Sequence, residues 1–448
     1  MSPPKPAGRP RKVSLWQFAR LFRRDILSAL PDHLFGAWLA EFRTPFFHSF
    51  LANDPQIVDL VLRKRPLDFP KSDRIAEGLR PLLGNSVFLT NGDEWQRQRR
   101  IIDPAFEGGR LRDTFPAMLA AGQAAAERLG AGEVEIEPVT SHAAADVIFR
   151  TLFSMPISTD IARRTYDAFS AYQKRQPILN PAALLALPRW MPRFHRRGVK
   201  KHARVIRALI TELVEGRARE IAAGTAPDDL ATKIMTTRDP QTGDLFTPAE
   251  MVDQVAIFFL AGHETSASAL AWALYLLATH PDLQDQVAAE GQAFLENPDF
   301  SNLSGLKFTR DVFRETLRLY PSVPMMVREC KTSEQFRARQ AKAGTQVVVS
   351  PWHLGRHSGM WDDPDEFDPN RYSSENGRKC LREAYLPFSA GPRVCTGAGF
   401  AMIEGPLLLA ILVARHTFQP TAEVPIPAAY LTLRSRHGIR LQIAPRPS

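Results

Sequence analysis

Cysteine is scarce in this chain of 448 residues, which contains three: Cys330, Cys380 and Cys395. Their number is odd and no pair has C-x-x-C spacing, so the sequence argues against a disulfide framework and against a structural zinc site. A reducing compartment is the simpler expectation. The chain also lacks a G-x-G-x-x-G unit, a flavin-type domain and clustered iron–sulfur cysteines, so electrons for a redox reaction must come from another protein.

Long apolar runs are missing as well. The longest stretch without a charged residue, 265–279, is too short to span a membrane comfortably, and we interpret it as a core helix. Residues 1–12 are proline-rich and basic, without the apolar region of a signal peptide behind them. The segment 14–31 has the pattern of an amphipathic helix that arginines interrupt. We therefore expect no transmembrane anchor and a soluble, cytoplasmic protein.

An excess of acidic residues is also absent, since 57 Lys and Arg stand against 48 Asp and Glu and give a net charge of +9. This balance favours acidic partners by long-range attraction. The basic runs at 97–100 and 193–201 belong to no recognisable nucleic-acid module. We interpret them as solvated faces or as a docking surface for an acidic protein, and we expect no nucleic-acid partner.

Helical periodicity dominates what the chain does contain. Strand-like runs are few: 134–139, 345–351 and 431–445, the last with the pattern of a hairpin that turns near His437 and Gly438. Without repeats or a long linker, we expect one large domain, mainly α with small β-sheets (α+β). Apolar residues recur at three-to-four spacing in the segments 118–129, 197–223, 248–279, 282–295, 309–319 and 398–415.

The stretch 350–371 cannot be a regular helix, because Pro364 and Pro369 interrupt it. A long irregular segment inside a compact fold is usually functional or held by specific contacts. The sequence therefore predicts that side chains from elsewhere in the chain hold this irregular segment in place.

Cys395 lies in a glycine-rich loop, FSAGPRVCTG, directly before a helical pattern. The free N–H groups and the positive dipole end of the first helical turn would favour its thiolate over the thiol. Gly391 and Gly397 would let a flat group approach the backbone, and Arg393 could hold a carboxylate. Taken alone, the loop favours a buried structural cysteine over a nucleophile, because no histidine is placed beside it by sequence.

Two further motifs lie in predicted helices. In ETLR, Glu315 and Arg318 share one helical face, where an exposed ion pair contributes about 0.2–0.5 kcal/mol. In AGHET, the hydroxyl of Thr265 can bond to the carbonyl of Ala261 and open the turn. Glu264 follows an apolar run, so it is either exposed or functional.

The fourth motif, DEWQRQRR, places Trp95 and Arg99 on one helical face at i,i+4 spacing. An indole N–H and a guanidinium could then donate to the same anion. Each of the three helical motifs is weak alone, since a surface ion pair, an exposed glutamate or a solvated amphipathic helix would account for it.

The stretch F-S-A-G-P-R-V-C-T-G-A-G-F-A, residues 388–401, is similar to the haem-binding loop of the cytochrome P450 family, and the chain resembles its soluble bacterial-type haem-thiolate monooxygenases. The four motifs follow one another in the order of that family. The resemblance implies the cytochrome P450 fold, with haem b between a long central helix and the helix after the cysteine loop. Cys395 would be the axial iron ligand. Residues 1–45 would form an extension with the first helix, and residues 46–448 the haem domain.

The resemblance also implies roles for the other motifs. Glu264 would deliver protons, and Thr265 would support the bound oxygen and its waters. Glu315, Arg318 and Arg371 would form a buried triad that holds the irregular segment. The residues expected to contact the haem or its propionates are Trp95, Arg99, Ala261, Arg328, Phe388, Gly391, Arg393 and Gly397, with Arg356 or His353 as further candidates.

The implied activity is insertion of one oxygen atom from O2 into a hydrophobic substrate, by hydroxylation or epoxidation. Electrons would come from a ferredoxin or flavodoxin with an NAD(P)H-dependent reductase, and we expect a monomer. A peroxide-driven peroxygenase and a haem-based sensor or carrier are the alternatives, and the intact AGHET motif disfavours both. The surface expected to receive the redox partner comprises Arg97, Arg100, Arg378, Lys379 and Arg382.

Substrate contacts follow by analogy of position. The candidates are mostly apolar, which predicts a medium-sized or large hydrophobic substrate such as a fatty acid, a terpenoid or an aromatic compound. Arg80 could hold a carboxylate, but a solvent-facing position is the favoured interpretation. The predicted pocket residues are Phe88, Ile257, Phe258, Val323, Met325 and Leu431.

Overall fold

Helices dominate the chain, as the periodicity predicts. The computed structural model describes residues 2–10, 12–43, 48–107, 109–173 and 197–447. Residues 193–196 of the second basic run lie outside the described residues. The α-helices of the described ranges are Leu15–Arg24, Pro55–Asp59, Asp73–Leu83, Gly92–Ile102, Arg110–Arg128, Ile136–Phe153, Asp160–Gln173, Arg197–Ala223, Leu230–Thr236, Pro248–Ala278, Pro281–Glu296, Lys307–Leu319, Pro351–Leu354, Glu375–Glu383 and Ala398–Arg415.

All six helices predicted from periodicity are present. Two of them have the predicted bounds, Arg197–Ala223 and Ala398–Arg415. The helix predicted at 118–129 is the second half of a longer one, Arg110–Arg128. Pro116 in the first half interrupts the helical pattern of the sequence, because proline normally ends a helix.

Eleven short strands form four small sheets within the described residues: β1 Leu39–Arg43, β2 His48–Ala52, β3 Gly132–Glu135, β4 Met326–Glu329, β5 Glu334–Phe336, β6 Arg339–Ala341, β7 Gln346–Val349, β8 His416–Pro420, β9 Pro427–Ala429, β10 Leu433–Ser435 and β11 Arg440–Pro445. The largest sheet has the order β1-β2-β7-β4, in which β2 and β7 are parallel and the other pairs antiparallel. Because β1 pairs with β2, the predicted extension contributes a strand to this sheet.

The strand predicted at 134–139 is correct only at its start. It ends at Glu135, and Ile136 begins the next helix, whose first turn tolerates Pro138. The N–H of Ile136 donates to the carbonyl of Ile439 at 2.8 Å. The backbone therefore changes from strand pairing at Glu135 to a helix at Ile136.

The hairpin predicted at 431–445 is wrong. Its first arm, β10, pairs with β9, whereas its second arm, β11, pairs with β3 and β8. Gly438 turns the chain between the arms with a φ of 84°. The two arms thus belong to different sheets, because each finds its partner elsewhere in the chain.

The central helix, Pro248–Ala278, is buried on every face from Ser266 to its end. A helix buried all round belongs to a core. Gly262 lies where this helix crosses Ile136–Phe153, and a Cβ at that position would lie 2.5 Å from Cδ1 of Ile148. The two helices pack closely because position 262 has no side chain.

The helix after the cysteine loop, Ala398–Arg415, is here called the cysteine helix. By length and composition it could cross a membrane, but 67% of it is buried inside the fold, as in the core helix of a globular protein. It packs against the central helix and against the helices Pro281–Glu296 and Lys307–Leu319. Its apolar side chains therefore pack within the protein core.

The residues before the first helix lie along the body of the protein. The carbonyl of Pro4 accepts a hydrogen bond from the hydroxyl of Tyr320 at 2.8 Å, and Lys5 pairs with Asp365 at 2.5 Å. Because Asp365 lies in the irregular segment, the predicted extension is joined to that segment.

Candidate active site

A cavity of about 1860 Å³, with mostly apolar walls, is lined by both the central helix and the cysteine loop. It exceeds the roughly 300–1,000 Å³ of an ordinary ligand pocket, so it can hold a large prosthetic group together with a substrate. Arg80 does not line it: its side chain is 39% exposed and donates to Asn85 at 2.6 Å, as the favoured solvent-facing interpretation predicts. The six predicted pocket residues all line the cavity: Phe88, Ile257, Phe258, Val323, Met325 and Leu431.

Cys395 opens into this cavity, and its loop is fixed by backbone hydrogen bonds. The N–H of Cys395 donates to the carbonyl of Phe388 at 2.9 Å, and its carbonyl accepts from the N–H of Ala398 at 3.2 Å. Burial raises the pKa of the Cys395 thiol, while the N–H of Gly397 and the charge of Arg99 act to lower it. A metal cation in the cavity would reverse this balance, since a coordinating thiol loses its proton. The thiol is thus accessible to a metal that would enter the cavity.

The two loop glycines have different functions. Gly391 has a φ of 66°, and a Cβ there would lie 2.0 Å from the carbonyl oxygen of Leu62. It shapes the loop against residues 60–64 and does not line the cavity, which corrects the predicted contact with a flat group. Gly397 does line the cavity, and a Cβ there would enter open space. Close backbone approach is therefore available at Gly397.

Beside the cysteine loop, four cationic side chains meet near the indole of Trp95. The ring centre is 5.1 Å from Cζ of Arg393, 5.7 Å from Nζ of Lys71 and 6.0 Å from Cζ of Arg99. Arg328 joins them through a β-bridge to Lys71. Burial lowers the pKa of Lys71 well below its usual value, and the charges of the three arginines lower it further. We call Lys71, Arg99, Arg328 and Arg393 the cation cluster.

The cation cluster has few anions of its own. Within the described ranges its one ion pair joins Arg99 to Asp103 at 2.8 Å. Nε of both Arg328 and Arg393 is buried without a hydrogen-bond partner, and burial together with the charge of Arg393 lowers the pKa of Arg328 to about 10. Because buried charges need partners, the cluster fits an anionic ligand. A flat group with two carboxylates and a metal, as in haem, matches the cluster, Gly397 and Cys395 together.

Two predicted propionate contacts, Arg356 and His353, are wrong, and one member of the cation cluster, Lys71, was not predicted. Lys71 was missed, because its segment has no helical or strand pattern that would mark it. Arg356 and His353 do not line the cavity, so they were wrongly considered. Arg356 stacks on Trp352 at 4.0 Å, and His353 exchanges a hydrogen bond with Ser350 at 2.8 Å.

Glu264 is buried on the central helix and is held by three side chains. Its Oε1 accepts hydrogen bonds from Thr432 and Arg434, and its Oε2 accepts from Gln173 at 3.1 Å. Sequence reasoning found Glu264 but not these partners, because they lie far away in the chain. The acid predicted from AGHET is thus tied to the β9–β10 region that also lines the cavity through Leu431.

Thr265 lines the cavity on the next position of the helix. Its hydroxyl donates to the carbonyl of Ala261 at 2.5 Å, and its own carbonyl accepts from the hydroxyl of Ser322 at 2.7 Å. The helix stays continuous through this turn. His263 instead bonds to the hydroxyl of Ser141 at 2.6 Å, and burial lowers its pKa to about 3. His263 therefore anchors the helix as a neutral side chain.

Glu315, Arg318 and Arg371 meet in the interior. Arg318 donates to both oxygens of Glu315 at 2.7 and 2.8 Å, and Arg371 adds a bond of 2.8 Å. The hydroxyl of Tyr372, which was not predicted, donates to Glu315 at 2.9 Å. Although burial acts to raise it, the charges and hydrogen bonds of the two arginines hold the pKa of Glu315 below its usual value.

The remaining guanidinium N–H groups of this triad hold the irregular segment. Arg318 donates to the carbonyls of Gly355 and Pro364 at 2.5 and 2.7 Å. Arg371 donates to the carbonyl of Asp362 at 2.7 Å. The irregular backbone is therefore fixed by the same two arginines that satisfy Glu315.

The basic residues predicted to receive a redox partner divide into two groups. Arg97 pairs with Glu250 and Arg100 pairs with Asp239, both at 2.6 Å. These two arginines are engaged within the protein, which weakens their predicted docking role. The three others are exposed on the helix Glu375–Glu383: Arg378, Lys379 and Arg382.

Comparisons with known proteins agree with this geometry. The family model described as Cytochrome P450 matches residues 41–440. Cyclooctat-9-en-7-ol 5-monooxygenase of Streptomyces melanosporofaciens is 32% identical over 410 residues, covering 89% of this chain and 86% of that protein. Pentalenene oxygenase of Streptomyces avermitilis is 29% identical over 441 residues, covering 96% and 94%. The crystal structure of the cytochrome P450DA heme domain shares the fold, with a TM-score of 0.81, 23% identity and coverage of 99% and 98%.

Proposed function

Because the chain belongs to the cytochrome P450 family, we propose that it is a haem-thiolate monooxygenase that inserts one oxygen atom from O2 into an apolar organic substrate. The observation that carries this proposal is the position of Cys395. Its thiol shares one cavity with the cation cluster and with the helical turn of Thr265. The proposed iron ligand, the cations proposed to bind the propionates and the hydroxyl proposed to handle protons therefore line the same cavity.

Haem b would be held by three features of the chain. Cys395 would ligate the iron, Gly397 would lie against the ring, and the cation cluster would pair with the two propionates. When bound, the haem supplies the oxygen-activating chemistry, which an electron-rich thiolate ligand favours. The chain itself supplies orientation, charge pairing and control of protons.

Thr265 and Glu264 would handle protons at the cavity wall. The Thr265 hydroxyl is fixed at the cavity and can exchange hydrogen bonds with water there. Glu264 accepts a hydrogen bond from Arg434, whose side chain is 30% exposed and also lines the cavity. Protons from solvent would therefore reach Thr265 along the side of the central helix that carries Glu264.

The substrate is proposed to be a large apolar molecule with a carbon skeleton like that of a terpenoid. Support comes from the apolar cavity wall and from the names of the two relatives, which denote an unsaturated alcohol and an unsaturated hydrocarbon. Titrating the haem-loaded protein with a panel of fatty acids, terpenoids and aromatic compounds should shift the absorption of the iron. Absence of any shift across the panel would contradict an apolar substrate.

Electrons are proposed to come from an acidic ferredoxin or flavodoxin with its reductase, docking on the helix Glu375–Glu383. The double variant Lys379→Glu, Arg382→Glu should slow reduction by an acidic ferredoxin several-fold at low salt, since like charges then face each other. Arg97→Gln, which alters an internally paired arginine, serves as the matched control. Reduction that is indifferent to salt and to the charge reversal would refute this docking surface.

The first test is the absorption spectrum of the dithionite-reduced protein with and without carbon monoxide. A strongly red-shifted Soret band in the wild type, lost in Cys395→Ser, is expected for thiolate ligation. An unshifted band in both proteins would overturn the proposal. Thr265→Ala should separate monooxygenation from the rival peroxygenase and sensor functions, because only a monooxygenase would then consume electrons without matching product.

A further inference from the structure

Glu404 is a buried acid that none of the roles above uses. It lies on the cysteine helix, is 1% exposed and lines the cavity. Its Oε2 accepts a hydrogen bond from the hydroxyl of Ser266 at 2.6 Å. Its Oε1 is buried without a hydrogen-bond partner in the part of the chain that the structure describes. Because Ser266 directly follows Thr265, this carboxyl group lies behind the turn proposed to handle protons.

The elements packed around the cysteine helix bring no counter-charge to this carboxyl group. Glu264 on the central helix is paired with Arg434, and Glu315 on the helix packed beside it is paired with Arg318. Among the described residues of these and the other neighbouring helices, no charged side chain forms an ion pair with Glu404 or shifts its pKa. Among the described residues, Glu404 thus has one hydroxyl as its hydrogen-bond partner and no cation as its counter-charge.

This environment decides the protonation state of Glu404. Burial raises the pKa of Glu404 to about 8, and the hydrogen bond from Ser266 opposes the rise. A carboxylate without a cation is costly to bury, so the neutral acid is the stable form at neutral pH. Glu264, in contrast, accepts a hydrogen bond from the guanidinium of Arg434. The two acids next to this turn therefore differ in whether a cation lies beside them.

We propose that Glu404 is a positioning residue for the proposed reaction that holds a proton behind Thr265 and exchanges it with cavity water through Oε1 and Ser266. In the transfer, one proton leaves the carboxyl group for water, and the resulting carboxylate still accepts from Ser266. A proton from bulk solvent, carried as hydronium through cavity water, later restores the acid, so no oxidant or reductant is required. The inference rests on the proposed function and adds to it a proton source separate from Glu264.

Infrared spectroscopy of the haem-loaded protein tests the proton directly. The carbonyl stretch of a protonated carboxyl group is separate from carboxylate absorption, so its loss on raising the pH reports titration. The wild type should lose one such band with a midpoint near pH 8. Glu404→Gln should lack this band, and Ser266→Ala should move its midpoint upward, because the serine hydrogen bond lowers the pKa of Glu404.

A band that persists in Glu404→Gln, or its absence from the wild type at neutral pH, would overturn the inference. Oxygen consumption by the reduced holoenzyme without added substrate provides the functional readout. The wild-type rate should change with pH around the same midpoint, whereas Glu404→Gln should be slower by roughly tenfold or more and lack that inflection. A glutamate with a purely structural function would leave the inflection in place.

The carbon monoxide spectrum distinguishes failure of the inference about Glu404 from failure of the proposed function. If Glu404→Gln keeps the red-shifted Soret band of the wild type but the infrared band does not belong to Glu404, only the inference about Glu404 fails. If the wild type itself lacks the shifted band, the proposed function fails, whatever the infrared result.

Discussion

Two groups of buried or partly buried cationic side chains in the described residues differ in whether they have an anion. In the first group, Arg318 and Arg371 converge on Glu315, and their remaining donors bind backbone carbonyls. In the cation cluster around Trp95, Asp103 is the one carboxylate that forms an ion pair within the described residues, and two Nε atoms have no partner. We call the first group closed, because its cations have a carboxylate from the same chain. We call the cation cluster the open group, because most of its cations have none.

The difference indicates what each group does. A closed group contributes to the shape of the chain, because removing one partner leaves a buried charge uncompensated. An open group contributes to affinity, because the fold has already removed these cations from water and an anionic ligand restores the missing interactions. Buried charge in a protein can thus be assigned to folding or to binding by asking whether its counter-charge lies in the same chain.

The largest effect is expected where the closed group is broken. Glu315→Gln should leave Arg318 and Arg371 without an anion and reduce the free energy of unfolding by about 3–5 kcal/mol. Urea denaturation, followed by circular dichroism, measures this loss. An unchanged unfolding midpoint would show that the triad is dispensable for stability and would break the comparison.

The open group should respond differently. Arg328→Met removes a charge-assisted contact to a carboxylate, so haem should transfer to an excess of an unrelated apoprotein roughly 10–100 times faster. Without haem, the same variant should be at least as stable as the wild type, because one of four crowded cations is gone. Haem-free instability as large as that of Glu315→Gln would refute an open cluster.

A smaller effect is expected from Tyr372→Phe. The variant removes one hydrogen bond to Glu315 and leaves both arginines in place, so the free energy of unfolding should fall by about 1–2 kcal/mol. The rate of haem transfer should stay as in the wild type. If that rate rose as much as in Arg328→Met, the two groups would not be independent.

The most gradual effect is a pH dependence of the open group. The pKa of Lys71 in the haem-free fold lies below its usual value of 10.5, so the unfolded chain binds more protons between these two values. The free energy of unfolding of haem-free protein should therefore rise with pH in that window, by at most about 1.4 kcal/mol per pH unit.

Bound propionates should reduce this slope, because they stabilise the charged form of Lys71. Urea denaturation at several pH values, with and without haem, measures the difference. Lys71→Met is the matched control. It should lack the part of the pH dependence of the free energy of unfolding that comes from Lys71. Equal slopes in haem-free and haem-loaded protein would contradict the assignment of Lys71 to the cluster.

Much of the site could be anticipated from local patterns. The cysteine loop, the Glu315–Arg318 pair and the Thr265 hydroxyl bond each depend on residues within a few positions of one another, and the helical periodicity located the elements that carry them. Arg371 could be added because a family resemblance joined it to the pair. Contacts between residues a few positions apart can be predicted from the spacing of those residues in the sequence.

The remainder depends on contacts between distant segments. Lys71 reaches the cluster through a bridge to Arg328, and Arg434 reaches Glu264 from β10, which pairs with β9. Glu404 lies within the apolar pattern of a helix, and its protonation depends on which groups pack around it. The predicted hairpin at 431–445 failed for the same reason, since its two arms pair with strands from elsewhere in the chain.

The parallel pairing of β2 with β7 has a consequence for biosynthesis. It joins residues 49–52 to residues 346–349, so β2 leaves the ribosome long before β7, its second neighbour, exists. Pairings of such long sequence separation form slowly, and an unpaired strand edge invites association with other chains. Because β4 with Arg328 pairs with β7 in turn, the cation cluster is completed late. The nascent chain would therefore be exposed to aggregation until most of it has been translated.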